Sequence, residues 1–183
     1  VHVLFLDADD WLLPGALARL VKPLEEEPGA AAAYGEAVRA DASGRVYGAA
    51  GGPLFHARPS GDVAEKLLAH NFVVTPGVLC ARTDAVRDAG GFDEGVRVAE
   101  DWVLWCALAR RGTFRYVAPP PVLAYRHSAA SVTQTAGLDI AETFACIDAV
   151  FSHPELRSFD SGRLDAQRRT READAHAFVA TQY

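Results

Sequence analysis

The chain has 183 residues, half of them hydrophobic, and a net charge of −6, enough for one domain with a sizeable core and too apolar for composition to enforce disorder. Acids and arginines are mixed without a long basic block, which argues against nucleic acid or an anionic membrane surface as partner. No apolar stretch approaches a membrane span, and Cys80, Cys106 and Cys146 lack CxxC or Cys/His spacing, so neither a zinc site nor a disulfide framework is expected.

The opening run Val1-His2-Val3-Leu4-Phe5-Leu6 is nearly continuous in apolar character, as in a strand covered on both faces inside a sheet. It leads directly into Asp7-Ala8-Asp9-Asp10, acids that interrupt any reading of the first residues as a signal peptide. The chain contains no methionine and opens inside what reads as a central strand, so a missing N-terminal part is expected. From Pro14, Leu17, Leu20, Val21 and Leu24 recur at helical spacing, with Pro23 as a kink or restart and Pro28-Gly29 as a stop. The stretch from Ala30 to Gly48 predicts two short strands joined by a turn at Asp41-Ala42-Ser43-Gly44, and Gly48 to Pro53 a loop. That loop lacks the strand-to-helix setting and Gly-Lys-Ser/Thr ending of a phosphate cradle.

Asp62 to His70 predicts a helix and Gly77 to Arg82 a strand; Thr83 is expected to cap a brief helix ending at Gly90-Gly91, with Phe92 as the apolar anchor of the following acidic loop. The segment EDWVLWCALARRG begins with Glu100 and Asp101 and closes with Arg110, Arg111 and Gly112, matching a helix dipole at both ends. Between these ends it is almost wholly apolar, which predicts a helix buried all round with its N-terminal acids at a cleft or tied to partners. Strands are predicted at TFRYVA and PVLAYRH, with Leu123, Tyr125 and His127 on one face of the second. Asp139 to Phe151 and Arg163 to Val179 read as surface helices.

In an extended segment Asp7 and Asp9 point one way and Asp10 the other. Two carboxylates side by side raise each other's pKa unless a cation or N–H donors hold both ionised. Turn and cap residues ahead of a helix would account for the same acids. Helix capping would likewise account for Glu100 and Asp101, a hydrogen-bonded strand histidine for His127, and core packing for Trp11, Trp102 and Trp105.

Four segments, FLDADDWLLPGAL, GVLCARTDAVRDAGGFDEG, AEDWVLWCALARRG and AYRHSAASVT, in this order and spacing, resemble the family 2 glycosyltransferases of the GT-A fold over residues 1 to 134. The resemblance implies an α/β, Rossmann-like mixed sheet flanked by helices. Residues 1–137 would be the C-terminal portion of such a domain, lacking the N-terminal nucleotide-binding half, and 138–183 a helical tail. It further implies inverting transfer of a sugar from a nucleotide-diphosphate donor to an acceptor hydroxyl, in polysaccharide or glycoconjugate synthesis. Asp7-Ala8-Asp9 would be the DxD motif, Asp9 binding Mn²⁺ or Mg²⁺ with the donor diphosphate, since these hard cations take carboxylate oxygens. Asp7 would bind ribose or a metal-bound water, and Asp10 would be structural. Asp101 would be the catalytic base, with Glu100 and Trp102 on the acceptor side. Arg126 would contact phosphate, and His127 would complete the metal shell. The partners implied are a nucleotide sugar and a saccharide, lipid-linked or other hydroxyl acceptor, in the cytoplasm or peripheral to the inner face of the membrane. An exposed sheet edge would permit self-association.

Two other readings compete. Haloacid dehalogenase-type phosphatases also place Asp-x-Asp after a strand, but favour Thr or Val where Trp11 stands, and use a later lysine and acid pair; the only lysines here are Lys22 and Lys66. The other is a truncated or degenerate glycosyltransferase-like module that binds without catalysis. Metal-dependent hydrolysis of a sugar nucleotide separates these readings.

Overall fold

The computed structural model describes residues 1–50, 58–97, 99–126 and 140–180. Eight strands form two mixed sheets flanked by helices. Strand β1 is His2–Leu4, β2 Trp11–Leu12, β3 Ala30–Tyr34, β4 Ala37–Ala40, β5 Val46–Ala49, β6 Leu79–Arg82, β7 Thr113–Tyr116 and β8 Leu123–Arg126. The helices are α1 Ala16–Glu26, α2 Ala64–Ala69, α3 Thr83–Asp88, α4 Glu100–Leu108, α5 Ile140–Ser152 and α6 Ser161–Ala180.

The first sheet has the order β1-β6-β3-β7 and the second β2-β8-β4-β5. In the first, β6 runs antiparallel to both neighbours while β3 and β7 are parallel; hence β1, β3 and β7 all point the same way. The chain passes from one sheet to the other at Gly35-Glu36, so that the single strand predicted from Ala30 to Ala40 is two strands, one in each sheet. Glycine is needed at this crossing, because a Cβ on Gly35 would lie 2.8 Å from Val122 Cγ1. The β7 to β8 segment makes the same crossing alongside, and the bonds Val117 N–H to Tyr34 O (2.8 Å) and Val122 N–H to Glu36 O (2.8 Å) hold the two together. The predicted hairpin turn is present: Asp41 accepts hydrogen bonds from the backbone N–H groups of Ser43 and Arg45.

Several local expectations change. Strand β1 stops at Leu4, is half-buried rather than covered on both faces, and among the described residues pairs on one side only, with β6. An apolar run alone does not distinguish an edge from an interior strand. Helix α1 continues through Pro23, and Leu17 is exposed while Leu20 and Leu24 are fully buried. Thr83 is the first residue of α3, not its cap, and its hydroxyl is buried without a hydrogen-bond partner. Gly90 and Gly91 do end that helix with positive φ, and Phe92 packs edge-on against Phe5 at 4.8 Å.

Helix α4 is buried from Trp102 to Leu108, as its all-round apolar sequence predicts. It packs beneath α2 and α5. Cys146, Ile147 and Val150 of α5 are buried in the same core as α4, and the three cysteines are buried and free. The first of the predicted surface helices, α5, therefore carries an apolar stripe that closes over α4. No helix among the described residues is long and apolar enough to cross a membrane.

Candidate active site

Because β1, β3 and β7 share one direction, their C-terminal ends and the entry to β6 lie along one edge of the first sheet. Open α/β sheets bind ligands at such an edge. After β1 the backbone does not stay extended. The Asp10 N–H donates to Asp7 O at 3.1 Å, closing a turn with Ala8 and Asp9 at its corner. Strict alternation of Asp7, Asp9 and Asp10 thus gives way to turn geometry, in which Asp7 and Asp9 are exposed and Asp10 is buried. Thr75, itself buried at the entry to β6, donates its hydroxyl to Asp7 Oδ2 at 3.3 Å.

Asp10 has a structural place. Its Oδ1 accepts the Arg126 backbone N–H at 2.8 Å, tying the turn to β8, while Oδ2 has no partner. Burial pushes its pKa up to about 6, and the charges of Asp7 and Asp9 add to the rise against the Arg126 N–H bond. Since the folded-state pKa lies above the roughly 3.9 of an unfolded aspartate, the ionised group costs the fold stability above about pH 6, and that cost fades as pH falls towards 4. In chelator-treated protein, wild type should gain stability relative to Asp10→Asn as pH drops from about 7 to about 4, with most of the change falling between about pH 6 and 4. Denaturant midpoints across this range check it, and a pH-independent difference would remove the strained carboxylate from the account.

Arg126 is engaged within the fold. Its Nε donates to Asp9 O at 2.9 Å, its Nη1 to Ala42 O at 2.8 Å, and its guanidinium lies 5.0 Å from the Trp11 ring centre. The side chain expected to contact phosphate also holds the backbone of the acidic turn to the β4–β5 hairpin, with Trp11 as its platform.

Asp101 enters α4 from Ala99, which adopts left-handed φ 56, ψ 32. Its Oδ1 accepts the Trp102 backbone N–H at 2.7 Å. A helix N-terminus would lower its pKa and burial would raise it; burial dominates, and the pKa rises to about 6, helped by Glu100 and by Asp7. The Trp102 N–H and the buried Trp105 indole, whose N–H has no fully formed hydrogen bond, pull against that rise. The charge of Asp7 therefore reaches Asp101. Glu100 is half-buried beside it. Trp102 is buried, and its indole N–H donates to Leu67 O at 2.7 Å, anchoring α4 to α2. His127 lies outside the described residues.

Among the described residues no three His, Cys, Asp or Glu side chains converge as a metal cage. Sequence reading missed Thr75, whose single hydroxyl carries no pattern, and the backbone-holding role of Arg126, which depends on a contact 117 positions away in the chain.

The fold has solved counterparts. The chain superimposes on the crystal structure of S. aureus TarS 1-349 in complex with UDP-GlcNAc, with TM-score 0.63 and 15% identity, over 96% of this chain and 48% of that one. This is a glycosyltransferase-like fold. The chain spans about half the length of that structure. No protein-family model matches the sequence, and no curated protein matches it.

Proposed function

We propose that this chain supplies the acceptor side and catalytic helix of an inverting, metal-dependent glycosyltransferase of family 2 type, taking a sugar from a nucleotide diphosphate to an acceptor hydroxyl. The observation that carries the reading is the exposed pair Asp7 and Asp9 on the turn that follows β1, at the strand-end edge of a glycosyltransferase-like fold; Asp101, at the start of α4, is near enough for the charge of Asp7 to be the weakest of the causes that raise its pKa. The glycosyltransferase-like fold, with a counterpart holding UDP-GlcNAc, supports a nucleotide-sugar partner. A cytoplasmic or membrane-peripheral setting and polysaccharide or glycoconjugate synthesis belong to the same proposal.

The exposed carboxylates of Asp7 and Asp9 fit a hard divalent cation. Mg²⁺ and Mn²⁺ at phosphate sites take about one or two carboxylates and leave the other positions to substrate phosphates and water. A turn with two accessible carboxylates and no closed cage suits that sharing. Asp9 would be the principal ligand and Asp7 its neighbour at the ribose or a bound water, with His127 as a further candidate. Such an ion, when bound, neutralises charge gathering on the departing diphosphate. Arg126 fixes the carbonyl of Asp9 and thereby orients the turn. Asp101 accepts the proton of the acceptor hydroxyl as that oxygen attacks the anomeric carbon, and Glu100 keeps the base strong by repelling its negative charge.

Binding of UDP-, GDP- and dTDP-sugars measured calorimetrically with Mn²⁺, in wild type and in Asp9→Asn, tests the reading. Metal-dependent binding to at least one donor should weaken about tenfold or more in the variant. Binding that ignores both Mn²⁺ and Asp9 would refute it.

A further inference from the structure

The same sheet edge carries a second recess that none of the acids above enters. Tyr34 ends β3 and Tyr116 ends β7, their rings 5.6 Å apart, and Phe72 packs on Tyr34 at 5.3 Å. Glu36, just past the crossing at Gly35, accepts the Tyr116 hydroxyl at 2.8 Å and pairs with Arg58, whose guanidinium lies 5.6 Å from the Tyr116 ring centre. These five residues line the recess. It adjoins a second hollow through Arg58 and Phe72, which runs on to Lys66 and His70. Val74 also lines the recess, and its chain neighbour Thr75 is the residue that donates to Asp7.

The lining constrains the occupant. Its floor is ring carbon and its wall is a half-exposed ion pair with a phenol. A carboxylate offers about four lone-pair sites and a guanidinium five N–H donors, so the pair can hydrogen-bond neighbouring hydroxyls without giving up its mutual contact. A hydrocarbon chain here would desolvate those charges and return no hydrogen bonds. A diphosphate would meet the Glu36 carboxylate at close range. A pyranose ring, with C–H faces for the aromatic floor and hydroxyls for the pair, satisfies both kinds of wall. The recess itself, about 50 Å³, admits only one edge of a ring, and the adjoining hollow of about 390 Å³ gives room for the rest of it beside Arg58 and Lys66.

We propose that the recess between Tyr34, Glu36, Arg58, Phe72 and Tyr116 binds a saccharide unit and that this is the acceptor subsite. Its assignment as acceptor rests on the glycosyltransferase reading, whereas the binding site itself does not.

Amide-resolved NMR titration of the full chain with methyl β-glucoside, N-acetylglucosamine and cellobiose, without nucleotide sugar, tests it. At least one sugar should shift the amides of Glu36, Phe72, Val74 and Tyr116 saturably. Glu36→Ala and Tyr116→Phe should each weaken that binding at least about fivefold, the loss expected for a removed hydrogen bond, while Asp9→Asn leaves it unchanged. If a variant fails to fold, the wild-type shift map decides. No shift with any of the three sugars, or shifts centred on Asp7 to Asp10, would overturn the assignment. Saccharide binding here in a protein that binds no nucleotide sugar leaves the recess standing and removes the transferase reading. Metal-dependent donor binding without saccharide binding does the reverse.

Discussion

On the proposed glycosyltransferase reading, Asp101→Asn should lower sugar transfer about a hundredfold or more, the range for loss of a positioned general base, while the affinity for donor stays within about twofold. The substitution keeps the size of the side chain and an oxygen to accept the Trp102 N–H, so α4 keeps its start. What it removes is the lone pair that, on that reading, takes the acceptor proton. The pH profile supplies an independent mark. With burial and Glu100 holding the Asp101 pKa near 6, wild-type turnover should climb as pH rises through about 6, because only the ionised carboxylate is a base. The residual activity of the variant should lack that limb. Single-turnover assays of the complete enzyme with saturating nucleotide sugar, across about pH 5 to 8, measure both effects. Donor affinity falling in step with turnover would assign Asp101 to donor binding instead.

Trp105→Ala should have the largest effect on stability, a loss of about 3–5 kcal/mol. Trp105 is fully buried, in the middle of a helix whose every residue from Trp102 to Leu108 is buried. Its removal leaves a cavity in a helix packed by α2, α3 and α5, which cannot close it without moving. Domains are stable by only about 5–15 kcal/mol, so this single change takes a large share. Urea unfolding of wild type, Trp105→Ala and Trp105→Phe resolves it, the phenylalanine variant falling between the other two. A loss under about 1 kcal/mol for the alanine variant would mean that the core collapses around the site, contrary to the packing described.

Helix α4 was the most legible element, because a segment apolar at every position between acidic and basic ends has few places to go except the centre of a fold. The DxD-like turn was legible as a cluster of acids, yet its internal division was not: the burial of Asp10 comes from a bond to the Arg126 backbone on a strand formed 116 positions later. Residue spacing also hid the break at Gly35. The alanine-rich stretch from Ala30 to Ala40 looks like one strand, and only the approach of Val122 to Gly35 explains why the chain changes sheets there. Arg126 shows the same limit. A guanidinium near an acidic motif suggests phosphate, whereas its contacts with the Asp9 carbonyl and the Trp11 ring in one segment and the Ala42 carbonyl in another arise only on folding.

Ala99 is the one non-glycine with positive φ among the described residues, and for anyone engineering this protein it sets a trade. Glycine would adopt that backbone without the roughly 1–2 kcal/mol that a Cβ costs in the left-handed region, so Ala99→Gly is an obvious thermostabilising choice. The Cβ also narrows the conformations open to the residue that launches Asp101, and the Ala99 carbonyl, 3.5 Å from Cys146 Sγ, is where α5 grips this corner. A library selected for heat tolerance alone would therefore enrich glycine at 99 and yield variants that survive longer while holding Asp101 less firmly.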